Sequence, residues 1–73
     1  MDKNRVTKQI ARRVSSAIAD RGFDVQSVAQ AADITTPDLT DRLQGRVEFE
    51  VDVLVRVGGF LRFPVTRFME VAA

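Results

Sequence analysis

The side chains of this sequence that can do chemistry are acids, arginines and hydroxyls. Its 73 residues contain no cysteine, histidine, tyrosine or tryptophan. Without histidine the commonest metal ligand and general base is missing. Without cysteine there is neither a disulfide nor a thiolate metal site. No P-loop and no glycine-rich nucleotide motif is present. Aspartate and glutamate can still move protons, but a chain this short leaves little room for a pocket. An enzyme is therefore the weakest function class, and no cofactor or small-molecule ligand is expected. The charges are better suited to binding. The formal net charge is only +1, yet it is unevenly placed. Residues 1–22 carry Lys3, Arg5, Lys8, Arg12, Arg13 and Arg21 against Asp2 and Asp20. Residues 23–45 carry Arg42 against Asp24, Asp33, Asp38 and Asp41, and residues 46–73 are balanced. The cations gather at the N-terminus and the middle is acidic.

The elements that must position these groups read as helices over the first two thirds of the chain. Val6, Ile10, Val14, Ala17 and Ile18 recur at spacings of three and four, which predicts a helix from about Lys3 to Arg21. Arg5, Lys8 and Arg12 repeat at the same spacing and form a second stripe on it. Gly22 is a natural stop. Asp24 can cap a short second helix, with Phe23 and Val28 at hydrophobic-staple spacing and Val28, Ala29 and Ala32 on its buried face. Residues 33–36 read as a tight turn. Thr35 or Thr36 then caps a third helix, Pro37 suits its first turn, Leu39 and Leu43 face inward, and Gly45 ends it.

The last third supports two readings. Val47, Phe49, Val51, Val53, Val55 and Val57 alternate with mostly polar residues, a strand pattern rich in β-branched side chains. Gly58-Gly59 then reads as a hairpin turn and Phe60 to Phe68 as a returning strand. The competing helical reading places Leu54, Val57, Gly58 and Leu61 at i, i+3, i+4 and i+7. Pro64 then opens a final turn that buries Val65, Phe68 and Met69. Length allows one domain, residues 1–73, which buries only ~60% of its unfolded surface and is marginal alone. Met1 to Arg13 lacks the apolar core of a leader peptide, and no apolar run approaches the ~20 residues of a membrane span. A cytoplasmic protein without a membrane partner is expected.

The stretch from Val25 to Gly45, with Ala29 where two helices cross, Ile34 after the turn, Leu39 in the next helix and Gly45 at its end, resembles the helix-turn-helix of the phage repressor and Cro (XRE) family. Arg42 to Arg46, Phe49, Val51-Asp52, Leu54, Val57, Leu61, Pro64-Val65 and Phe68 are similar to the segment after the recognition helix in actinobacterial or actinophage-type members. The resemblance covers roughly residues 10–70. It implies an all-α, five-helix, lambda-repressor-like bundle; three helices followed by a Cro-like C-terminal β-hairpin are the alternative.

The resemblance also implies a function. A recognition helix at about residues 36–44 would enter the major groove, where residues near a helix start reach base edges. Groove-facing positions carry over to Thr36, Pro37, Asp38 and Asp41, with Thr35 at the helix start. Gln26 and Arg46 carry over as phosphate contacts, and Arg42 as either. The expectation is a sequence-specific regulator of double-stranded DNA in the nucleoid, acting as a homodimer through its C-terminal third, where Val47, Val53, Val55, Phe60 and Phe63 are surplus apolar residues. Three features depart from the family. Asp24 and Val25 stand where it often has polar phosphate contacts. The recognition face carries Asp38 and Asp41, and Asp33 stands at the turn in place of glycine. The acidic face supports a second reading, a protein-interaction module such as an antirepressor or a host-factor binder. The Arg5/Lys8/Arg12 stripe reads first as a solvated face and second as a DNA arm.

Overall fold

The computed structural model describes residues 3–69. The single-domain reading also takes in residues 1, 2 and 70–73, which lie outside the described residues. Five helices follow one another: α1 (Lys3–Arg21), α2 (Val25–Ala31), α3 (Thr36–Leu43), α4 (Val51–Leu61) and α5 (Val65–Met69). The described residues form no strand.

Four of these helices stop in the same way. At Gly22, Asp33, Gly45 and Arg62 the backbone turns left-handed, with φ of 75°, 61°, 78° and 55°. Each of these residues donates its N–H three residues back, and the next residue donates five back. The second set of bonds is Phe23 to Ile18 (3.3 Å), Ile34 to Ala29 (3.0 Å), Arg46 to Asp41 (3.0 Å) and Phe63 to Gly58 (2.9 Å). This is the Schellman closure, which satisfies carbonyls that the helix end leaves open. Glycine adopts the conformation at no steric cost, and Asp33 and Arg62 hold it with side chains.

The core is one cluster. Val14, Ala17 and Ile18 of α1 meet Val28, Ala29 and Ala32 of the α2 region, Leu39 of α3, Val53, Leu54, Val57 and Leu61 of α4, and Phe68 of α5. Ala29 is fully buried, and Ile34 is half-buried against the cluster beside the turn.

The chain from Val51 to Leu61 is helical, and the hairpin reading does not hold. Its buried residues are Val53, Leu54, Val57, Gly58 and Leu61, a single helical face. The alternating valines divide between inside and outside: Val53 and Val57 point into the core, while Val51 and Val55 are 61% and 52% exposed. Gly58 allows α5 to close against α4. A Cβ there would sit 2.9 Å from the Phe63 carbonyl oxygen and 3.5 Å from the Phe68 ring. Gly59 meets nothing within 4 Å. In α5 Phe68 is buried and stacks on Phe63 at 4.7 Å between ring centres, and Val65 packs half-buried. Met69, expected inside, is 45% exposed. Phe23, expected to staple α2, meets the Phe60 ring at 4.7 Å. Among the described residues no helix is long and apolar enough to cross a membrane.

Candidate nucleic-acid interface

The unit α2–turn–α3 presents α3 to solvent along one side. Thr35 is the N-cap: its hydroxyl oxygen accepts from the Asp38 N–H at 3.1 Å. That bond fixes the first turn, and Pro37 adds no unpaired N–H to it. Leu39 is fully buried and holds the helix to the core. Thr36, Pro37 and Gln44 are exposed, and Asp38, Thr40 and Asp41 are half-buried. Pro37, Asp41 and Gln44 are four and three residues apart and share one helical face.

Arg42 turns inward. It is only 8% exposed, unlike the outward side chain that a DNA contact requires. Its Nε donates to Asp38 Oδ1 at 2.9 Å and its Nη1 to the Glu48 carbonyl oxygen at 2.6 Å. Its Nη2 lies 3.5 Å from the Glu50 carboxylate. The guanidinium thereby ties α3 to the segment that leads into α4. Arg46 is exposed and pairs with Asp41 at 3.3 Å. Asp38 and Asp41 of α3 thus each have an arginine beside them. The pairing bears on function, because an uncompensated carboxylate repels a phosphate and a neutralised one does not.

Gln26 is exposed in the first turn of α2. That turn is capped by Asp24, whose carboxylate accepts from the Ser27 N–H at 2.8 Å. Hydrogen bonds from Ser27, side chain first and backbone second, hold the Asp24 carboxyl below the usual aspartate range.

Two further arginines spend their donors on helix ends. Arg21 Nε donates to the Leu61 carbonyl oxygen at 3.0 Å, and Arg56 Nη1 to that of Ala32 at 3.3 Å. Arg21 and Arg67 also lie over the Phe63 ring, at 5.8 and 5.7 Å from its centre. Sequence reasoning missed the Glu48 and Glu50 ends of the Arg42 strut. It also missed Gln44, whose position three residues after Asp41 was a readable signal. The i, i+4 spacing of Asp38 and Arg42 was the readable half of the strut. Among the described residues, no group of three or more acids could hold a metal ion.

No protein-family model matches the chain, and no curated protein sequence matches it. Its fold does match a solved structure, the clp gene regulator ClgR from Corynebacterium glutamicum, with a TM-score of 0.84. The two are 22% identical over 88% of this chain and 68% of that one. At that identity the likeness establishes the all-helical fold.

Proposed function

We propose that this chain is a sequence-specific DNA-binding transcription regulator of the repressor and Cro type, with α3 as its recognition helix. The observation that carries the reading is the outer side of α3. Thr35, Thr36, Pro37 and Gln44 are exposed there and Asp41 is half-buried beside them, on a helix pinned from behind by Leu39 and Arg42. The similarity in fold to a gene regulator supports the same reading. In this proposal Thr35 and Thr36 approach the groove wall and Pro37 packs against thymine methyl groups. Asp38 and Asp41 accept from cytosine amino groups, and Gln26 and Arg46 hold phosphates. Arg42 acts behind the surface, as the residue that positions Asp38.

One short helix reads few bases, so the regulator is proposed to act as a dimer on a two-fold site. Val53 is in the core and takes no part in pairing. Among the described residues of the last third, Val47, Val51, Val55, Phe60 and Met69 are the exposed apolar side chains, and Phe63 is half-buried. The proposal makes the chain a binding protein, not an enzyme, working on the nucleoid in the cytoplasm.

The test is a titration against DNA flanking its own gene, with random duplex as control, at low and physiological salt. Preference for the flanking fragment, with affinity that falls as salt rises, is expected. Equal affinity for both duplexes would remove sequence specificity. Absence of binding at low salt would leave the protein-interaction reading.

A further inference from the structure

If α3 reads bases, some part of the molecule must neutralise the phosphates beside it, and the arginines near α3 are already engaged. Arg42 is buried in its strut, and Arg46 shares its charge with Asp41. Arg21 and Arg56 bond carbonyls at helix ends. The cations without a partner among the described residues include Arg5, Lys8 and Arg12, the stripe along the outer side of α1.

The fold brings this stripe to the end of the recognition helix. Lys8 and Arg12, with Ala11, Ser15 and Ser16, form one wall of a cleft of about 360 Å³; Leu43, Gln44 and Gly45 form the other. The approach is close: a Cβ on Gly45 would meet Lys8 Cγ at 3.0 Å. Gly45 thus has two reasons to be glycine, its φ of +78° and the lysine stem laid across it. Arg46, a candidate phosphate contact, is the next residue. From Arg5 to Arg12 the stripe runs about 10 Å along the helix axis. One DNA strand presents a phosphate every ~3.4 Å of its axis, so the stripe spans about three of them.

We infer that the cleft between α1 and the C-terminal end of α3 is a phosphodiester clamp. Lys8 and Arg12 hold the DNA backbone beside the groove that α3 enters, and the Ser15, Ser16 and Gln44 side chains offer neutral donors to the same oxygens. The inference rests on the DNA-binding reading and adds to it the source of the neutralising charge. Base-facing and phosphate-facing duties are then divided. The face of α3 carries acceptors and neutralised acids, and α1 carries the uncompensated cations.

The test is the double variant Lys8→Gln with Arg12→Gln in the full chain. Glutamine keeps the methylene stem that packs on Gly45 and removes only charge. Affinity for the gene-flanking duplex and for a random duplex is measured by fluorescence anisotropy over a range of salt. Loss of two phosphate contacts makes the slope of log affinity against log salt shallower by about 1.8. Between about 50 and 200 mM salt the parent then loses about 12-fold more affinity than the variant. Both duplexes weaken together and their ratio holds, because phosphate contacts carry no sequence information. Arg62→Gln removes a charge at the opposite end of α1 and leaves the slope as in the parent. An unchanged slope in the double variant, with a parent that binds, overturns the clamp while leaving DNA binding intact. A slope change as large in Arg62→Gln overturns it in favour of a general field. A parent that binds no duplex at low salt overturns both readings at once.

Discussion

Replacing Arg42 by alanine separates a structural arginine from a DNA contact. The loss can be estimated from its three partners. The Nη1 bond to the Glu48 carbonyl, at 2.6 Å, and the Nε bond to Asp38, at 2.9 Å, are charge-assisted. Such bonds contribute roughly 1.5–3 kcal/mol when shielded. The Asp38 side chain is 37% exposed, so its share sits at or below the lower end. Glu50 is 68% exposed and 3.5 Å away, and it adds well under ~1 kcal/mol. The sum is about 3 kcal/mol. A domain of this length has ~4–11 kcal/mol in all, and each kcal/mol moves its melting temperature by roughly 4–8 °C. Arg42→Ala is therefore expected to melt about 12–24 °C below the parent in thermal unfolding followed by circular dichroism. Arg42→Lys, which keeps the charge but reaches fewer of the three acceptors, recovers part of that loss. An Arg42→Ala variant that melts within ~2 °C of the parent would refute the strut; if that folded variant also lost DNA affinity, Arg42 would be a direct contact.

Three further perturbations test other parts of the structure. Gly59→Ala adds a methyl group in open space and is expected to raise stability by about 0.5–1 kcal/mol, whereas Gly58→Ala drives a Cβ into the Phe63 carbonyl and lowers the melting temperature; urea midpoints that move the same way in both variants would contradict the packing of α5 on α4. Thr35→Ala removes the cap of α3 and costs about 1 kcal/mol, read by the same denaturation, and an unchanged midpoint would show that the cap does not support α3. Asp24 is held below its ordinary range in the folded chain, so its contribution is complete above about pH 4 and is lost as pH falls through the lowered value. Asparagine caps without titrating, so on acidification the parent should lose stability relative to Asp24→Asn, and parallel melting curves down to about pH 2 would count against the cap.

The first three helices were legible because each is bounded by signals that act within a few residues. Gly22, Asp24, Thr35, Pro37 and Gly45 stop, cap or open a helix wherever the rest of the chain goes. The fourth helix was harder to read, because Val51, Val53, Val55 and Val57 satisfy a strand and a helix alike. What decides between the two is distant: Phe68 has to be buried and Gly58 has to admit it. The candidate site divides in the same way. The outward positions of Thr36, Pro37 and Asp41 follow from the turn and the helix period. The burial of Arg42 depends on where Glu48 lies after the chain has turned at Gly45, and no local pattern specifies that. The basic stripe was visible as a stripe; its place beside the end of α3 required the packing of α1.

The repeated left-handed stop has a consequence for how fast the molecule assembles. Each of the four closures is made by bonds that span no more than six residues, so the ends of the helices can be set before any distant contact exists. Sequence neighbours then pack, α2 on α3 and α4 on α5, with short loops to close, and α1 on α3, α4 and α5 and α2 on α4 close longer ones. Small helical bundles as a class cross their folding barrier in microseconds to milliseconds. Such a chain spends little time as an exposed intermediate.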